Sequence, residues 1–172
     1  MDSKQFNTQI LTLSDKLFRL AKSMLRNADA AQDAVQELSM KLWEKRDHLD
    51  EVENMAGFTM RAMRNHCLDS IRQQKDEDEL PAEFEQKELN PHQQTEQKDM
   101  VERIRIMIDN LPELQRTIIR MRDVEGMEIA EIAYVISITE NAVTVNLSRA
   151  RQKIRDKILN EQKRVEETIW KG

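Results

Sequence analysis

The sequence predicts an all-α protein of two small helical domains joined by an acidic linker, the C-terminal one a helix-turn-helix. Three observations predict this class. Of 172 residues only three are Gly, three Pro and one Tyr, too few turn formers and strand-favouring aromatics for a β-rich or turn-rich fold. Charged residues make up 34% of the chain, and the apolar ones recur at three- and four-residue steps, the spacing of one helix face. The run from Asp76 to Gln97 holds two prolines, dense acidic charge and few apolar side chains, so it buries little surface and separates the helical halves.

Taken in order, Phe6, Ile10, Leu13, Leu17, Leu20 and Met24 define a long first helix. A second, from about Ala30 to about Arg46, turns Ala34, Val35, Leu38 and Leu42 inward. The third begins near Phe58; Met60, Met63, Cys67 and Ile71 form its buried stripe, and Arg61, Asn65, Asp69 and Arg72 lie opposite. Beyond the linker, Met100 to Ile108 is expected as a helix with Val101, Ile104, Met107 and Ile108 inward. Pro112 followed by Glu113 is a start signal for a helix reaching about Asp123, and Gly126 breaks it. The helix-turn-helix follows: Glu128 to Ile136, a turn at Ser137-Ile138-Thr139, and a second helix from Glu140 to about Arg164 with Thr139 as N-cap.

The net charge of −5 is unevenly spread. Residues 73–100 carry three basic and nine acidic side chains, whereas residues 126–172 carry eight basic and seven acidic. A lone cysteine, Cys67, forms no internal disulfide, no apolar run approaches the roughly 20 residues of a membrane span, and the N-terminus lacks the order of a signal peptide. A cytoplasmic protein, not itself membrane-inserted, is expected. His48, His66 and His92 have no mutual ligand spacing, and phosphate-binding and nucleophile motifs are absent. The sequence therefore predicts no catalytic residue, no metal, no cofactor and no small-molecule substrate.

The chemistry lies instead in exposed helix faces. Val143, Leu147, Ala150 and Ile154 step by four, three and four residues and face the core. Asn141, Thr144, Val145 and Ser148 then project outward near the N-terminal end, where a helix in the major groove meets base edges. Arg149, Arg151, Lys153, Arg155 and Lys157 follow, and some of them can neutralise phosphates. On the second helix Asp33, Gln36, Glu37 and Met40 share one face, a polar patch with an exposed Met that suits either a protein partner or solvent.

Five segments occur together: D-A-V-Q-E-L-S-M-K-L-W at 33–43, N-H-C-L-D-S-I-R at 65–72, L-P-E-L-Q-R at 111–116, E-G-M-E-I-A-E-I-A at 125–133 and S-R-A-R-Q-K-I-R at 148–155. In this order they resemble the extracytoplasmic-function group of bacterial sigma-70 factors. The resemblance implies a region 2-like domain over 1–75, an acidic linker over 76–99 and a region 4-like domain over 100–172. It implies that Asp33, Gln36, Glu37 and Met40 bind core RNA polymerase. Arg61, Arg64, Asn65, Asp69 and Arg72 would serve the minus-ten promoter element. Glu140, Asn141, Thr144, Val145, Ser148, Arg149 and Arg151 would serve the minus-thirty-five element. The linker would thread toward the polymerase active centre, and an anti-sigma factor is an implied partner. Departures from the family pattern are Ser39 after the Gln36-Glu37 pair, Phe58 where Trp is common, a reduced basic run at Gln73-Gln74-Lys75, Thr144 and Asn146 where basic residues are common, and Glu128 in place of Ser or Thr. Two rival readings are a free-standing regulator that binds duplex operators alone, and a helical interaction module without DNA function.

Overall fold

A computed structural model describes residues 1–77 and 96–170, and every extended element within them is helical. Residues 78–95, which hold most of the predicted acidic linker, lie outside the described residues. The chain forms two compact units: one contains α1 (Ser3–Leu25), α2 (Ala28–Glu44), α3 (Met55–Glu77) and α6 (Ile129–Ile136); the other contains α4 (Glu96–Asp109), α5 (Glu113–Ile119) and α7 (Glu140–Trp170).

In the first unit α1 packs on both α2 and α3, and α6 lies against α3. Local chemistry fixes where these helices start. Asp2 accepts from the Gln5 amide at 2.7 Å while the Gln5 side chain accepts from the Asp2 amide, a reciprocal cap. Asn27 caps α2 by accepting from the Ala30 amide at 2.9 Å, immediately after Arg26 closes α1 in the left-handed region at φ 55°. Helix α3 begins three residues earlier than its apolar pattern indicates, because the Asn54 side chain accepts from the Gly57 amide at 2.8 Å. A Cβ at position 57 would lie 2.8 Å from the Asn54 side chain, so a larger residue there would have to displace the capping group.

The core of this unit is the meeting of stripes. Phe6, Ile10, Leu17, Leu20 and Met24 from α1 meet Ala31, Ala34, Leu38 and Leu42 from α2 and Met60, Met63 and Cys67 from α3, all buried. Each large side chain removed from water contributes roughly 1.5–3 kcal/mol. Leu13 and Val35, expected inward, are half-buried at the margin. Trp43 closes one end of this core: Phe6 meets it edge-on at 5.2 Å and the Arg46 guanidinium stacks on it at 4.4 Å. Between the second and third helices the chain forms a 3-10 turn over Arg46–Glu51, tied to Met1 by the terminal amine on Asp50 at 2.6 Å.

The second unit differs from expectation in four places. Val101 is 53% exposed rather than inward; among the described side chains of α4, the buried ones are Met107 and Ile108 at its C-terminal end. Pro112 is the N-cap rather than the first helical residue. The helix expected to reach Asp123 stops at Ile119 and widens into a π-helical turn over Arg120–Val124, which Gly126 follows at φ 69°. Helix α7 runs to Trp170, six residues beyond the expected end, and Trp170 is 90% exposed.

Arg116 is 5% exposed and donates from Nη1 to the carbonyls of Leu111 at 3.2 Å and Asp109 at 3.4 Å, serving the carbonyls left over where α4 ends. Arg120 reaches the Asp109 carboxylate at 2.5 Å beside it. Arg116→Ala should lower the unfolding free energy by about 2–4 kcal/mol, since it removes packing and strands buried acceptors. Arg116→Met, which keeps the packing, should lose less. Urea denaturation of the two variants checks the ordering.

Candidate polymerase and nucleic-acid interfaces

Burial of Ala31, Ala34, Leu38 and Leu42 turns the opposite face of α2 outward. Asp33, Gln36, Glu37 and Met40 are accordingly all exposed, Met40 at 65%. One feature of this face was not legible from spacing: Glu37 and Lys41 both reach His66 of α3. The Glu37 carboxylate lies 3.1 Å from Nε2, and the Lys41 ammonium 3.4 Å from Nδ1. A neutral imidazole satisfies both, donating from Nε2 to the carboxylate and accepting at Nδ1 from the ammonium. Ring and carboxylate thereby link α2 to α3.

On α3 the five expected DNA residues divide. Asn65, Asp69 and Arg72 are exposed, and Asp69 and Arg72 form a loose ion pair at 3.7 Å, worth little in stability. Arg64 is half-buried. Arg61 is also half-buried, its guanidinium 5.0 Å from the ring centroid of Tyr134 on α6. A cation held on an aromatic face has part of its donor surface covered. On the buried side of α3, Cys67 is wholly enclosed with its sulfur 3.8 Å from that of Met63, and burial pushes its thiol up to about 12. It is a packing residue.

On α7, Val143, Leu147 and Ala150 are buried, and this leaves Glu140, Asn141, Thr144, Val145, Ser148, Arg149 and Arg151 exposed along the other side. Thr144, Ser148, Arg151, Gln152 and Arg155 line an open groove floored by Leu147. Asn146, which stands where the family commonly has a basic residue, is half-buried, and its amide donates to the Ala142 carbonyl at 2.9 Å. Arg151 is held from its side by Asp123, Nε to Oδ2 at 3.0 Å and Nη2 to Oδ1 at 2.5 Å, and this carboxylate raises the guanidinium's already high pKa. Asp123, on the π-helical turn, and Gln152 were missed by sequence reasoning. Position 152 has the outward helical phase that could have found it; Asp123 has no local signal.

Helix α6 starts with Glu128 as N-cap, its amide donating to the Glu131 carboxylate at 2.9 Å. It ends at Ser137, which takes the left-handed conformation at φ 59° and lets the Ile138 amide reach the Ala133 carbonyl. That reversal supplies the expected turn before α7.

A family model described as Sigma-70 region 2 matches residues 10–77, and one described as Sigma-70, region 4 matches residues 102–154. The chain belongs to the sigma-70 family. Within it the chain is an extracytoplasmic-function sigma factor. The ECF RNA polymerase sigma factor SigW of Bacillus subtilis is 23% identical over 169 residues, spanning 91% of this chain and 90% of the relative. RNA polymerase sigma factor SigV of the same organism is 29% identical over 147 residues, spanning 84% and 85%. In fold, the sigma factor is similar to the sigma factor RpoE in a co-crystal structure with the anti-sigma factor NepR from Bartonella quintana, with a TM-score of 0.71, 22% identity, and coverage of 89% of this chain and 96% of that one. Among the described residues of the sigma factor no helix is long and apolar enough to cross a membrane, and no cluster of three metal-binding side chains occurs.

Two outcomes follow for α3. The Cys67 thiol stays protonated in the folded protein to about pH 12, whereas an unfolded thiol ionises near 9.0. Its contribution to stability is complete below pH 9.0 and is lost as pH rises toward about 12, by up to about 1.4 kcal/mol per pH unit. Unfolding free energies of wild type and Cys67→Ala, measured from pH 8 upward, should converge by that slope. Tyr134→Ala should leave helical content unchanged and speed the reaction of Arg61 with an arginine-selective dicarbonyl, read by peptide mass spectrometry.

Proposed function

We propose that this sigma factor confers promoter specificity on core RNA polymerase through three separate exposed faces, and that it acts in the cytoplasm without catalysing a reaction itself. As a sigma factor it directs polymerase to promoters for transcription initiation. The division into residues 1–75, 76–99 and 100–172 is part of the proposal and is supported by the two matched segments.

The face of Asp33, Gln36, Glu37 and Met40 on α2 would dock on core polymerase. An exposed methionine amid polar groups is an adaptable contact for a protein surface. Arg61, Arg64, Asn65, Asp69 and Arg72 of α3 would hold the opened minus-ten element, where contacts to bases and phosphates offset lost stacking. Glu140, Asn141, Thr144, Val145, Ser148, Arg149 and Arg151 of α7 would lie in the major groove at the minus-thirty-five element. The observation that carries the reading is the outward row on α7: hydroxyl and amide donors for base edges stand beside arginines, on the side opposite a buried stripe. An anti-sigma partner is supported by the RpoE complex with NepR, a structure of similar fold.

Run-off transcription with purified core polymerase tests the function. Transcripts should require the sigma factor, and a factor that bound its duplex equally well without polymerase would instead be a free-standing regulator. Asp33→Ala with Met40→Asp should weaken binding to core polymerase by about tenfold or more while helical content stays constant. Fluorescence titration against core polymerase and circular dichroism read the two quantities.

A further inference from the structure

The Arg151–Asp123 pair uses only part of the guanidinium. Nε–H and one N–H of Nη2 point to the two carboxylate oxygens. Three N–H groups remain, and two of them, one on each terminal nitrogen, form the parallel end-on pair of the fork. Among the described residues, no hydrogen bond engages that end. The side chain is half-exposed and lines the groove with Thr144, Ser148, Gln152 and Arg155, so it is both fixed in direction and open to a ligand in the groove.

Two acceptors could meet such a pair: a phosphate, or the O6 and N7 atoms on the major-groove edge of guanine. Electrostatics separates them. Phosphate binding draws on net positive charge and counterion release, and Asp123 cancels the charge of Arg151 locally. Directional donation survives the pairing, because a carboxylate on one edge locks the orientation of the other. Arg155 has a different setting: its Nη1 donates to the neutral Gln152 amide oxygen at 3.2 Å, so it keeps its charge for the backbone.

We infer that Asp123 is a positioning residue that buttresses Arg151 as a reader of one guanine in the minus-thirty-five element, leaving phosphate neutralisation to neighbours such as Arg155. This rests on the placement of α7 in the major groove proposed above. Asp123 touches no base; it acts through Arg151.

The test is holoenzyme binding and initiation on a promoter library randomised across the minus-thirty-five element, repeated over a range of salt. Asp123→Ala should lose about 5- to 150-fold of preference for guanine at one position and leave preferences elsewhere intact. At the same time its binding should become more salt-dependent, by about one unit of slope, because Arg151 regains an unpaired charge. A merely structural clamp would produce neither effect. Arg151→Lys, which keeps the charge but not the parallel donors, should lose the same guanine preference. Arg155→Ala should flatten the salt slope by about one and leave base preferences unchanged. Thermal melting of each variant controls for folding, and Asp123→Asn, which keeps shape and one acceptor, should fall between wild type and Asp123→Ala.

The inference is overturned if Asp123→Ala and Asp123→Asn keep every base preference, or if Arg151→Ala flattens the salt slope as Arg155→Ala does. Ser148→Ala and Gln152→Ala separate the two layers. If these also leave the whole minus-thirty-five profile unchanged, the placement of α7 fails together with the inference; if they alter it while the Asp123 variants do not, only the buttress fails.

Discussion

The rotation of α7 about its own axis governs what this protein can present to DNA, and three small or medium apolar side chains set that rotation. Val143, Leu147 and Ala150 are buried within two turns. A change of one residue in that register would swing Ser148 and Thr144 away and bring Asn146 and Arg149 round by about 100°. The exposed row is therefore a by-product of packing, and its chemistry was free to vary once the stripe was in place. The same logic holds on α2, where Ala31, Ala34, Leu38 and Leu42 inside dictate Asp33, Gln36, Glu37 and Met40 outside.

Much of this was legible in sequence because it is periodic. Apolar spacing located the interiors of five helices, α1 to α4 and α7, and most of the buried residues of α1, α2 and α3, and the outward residues followed by subtraction. Boundaries were misplaced where a side chain rather than the apolar pattern sets them, as with Asn54 starting α3 ahead of its stripe. The π-helical turn at Arg120–Val124 was invisible because its sequence suits an α-helix; the wider turn follows the burial of Met121 and the tie from Arg120 to Asp109. Contacts distant in sequence were missed for a plainer reason. Asp123 and Arg151 are 28 positions apart, Glu37 and His66 are 29 apart, and no local rule connects them.

Among the described residues, several charges stand in small neutral sets. Arg151 faces Asp123, Arg120 faces Asp109, Arg103 faces Glu161, and His66 sits between Glu37 and Lys41. Such pairing limits indiscriminate attraction to nucleic acid, since each partnered cation contributes little to counterion release. It fits a factor whose overall charge is −5 and which shares the hold on DNA with a larger enzyme.

The two tryptophans sit in opposite surroundings. Trp43 is wedged between the Phe6 edge and the Arg46 guanidinium, whereas Trp170 is almost wholly in water at the end of α7. Their emission should therefore separate by wavelength, a blue component from the packed indole and a red one from the solvated indole. The molecule thus carries an intrinsic optical label for the integrity of the α1–α2–α3 core, readable against an internal reference that stays in solvent whether or not that core is intact.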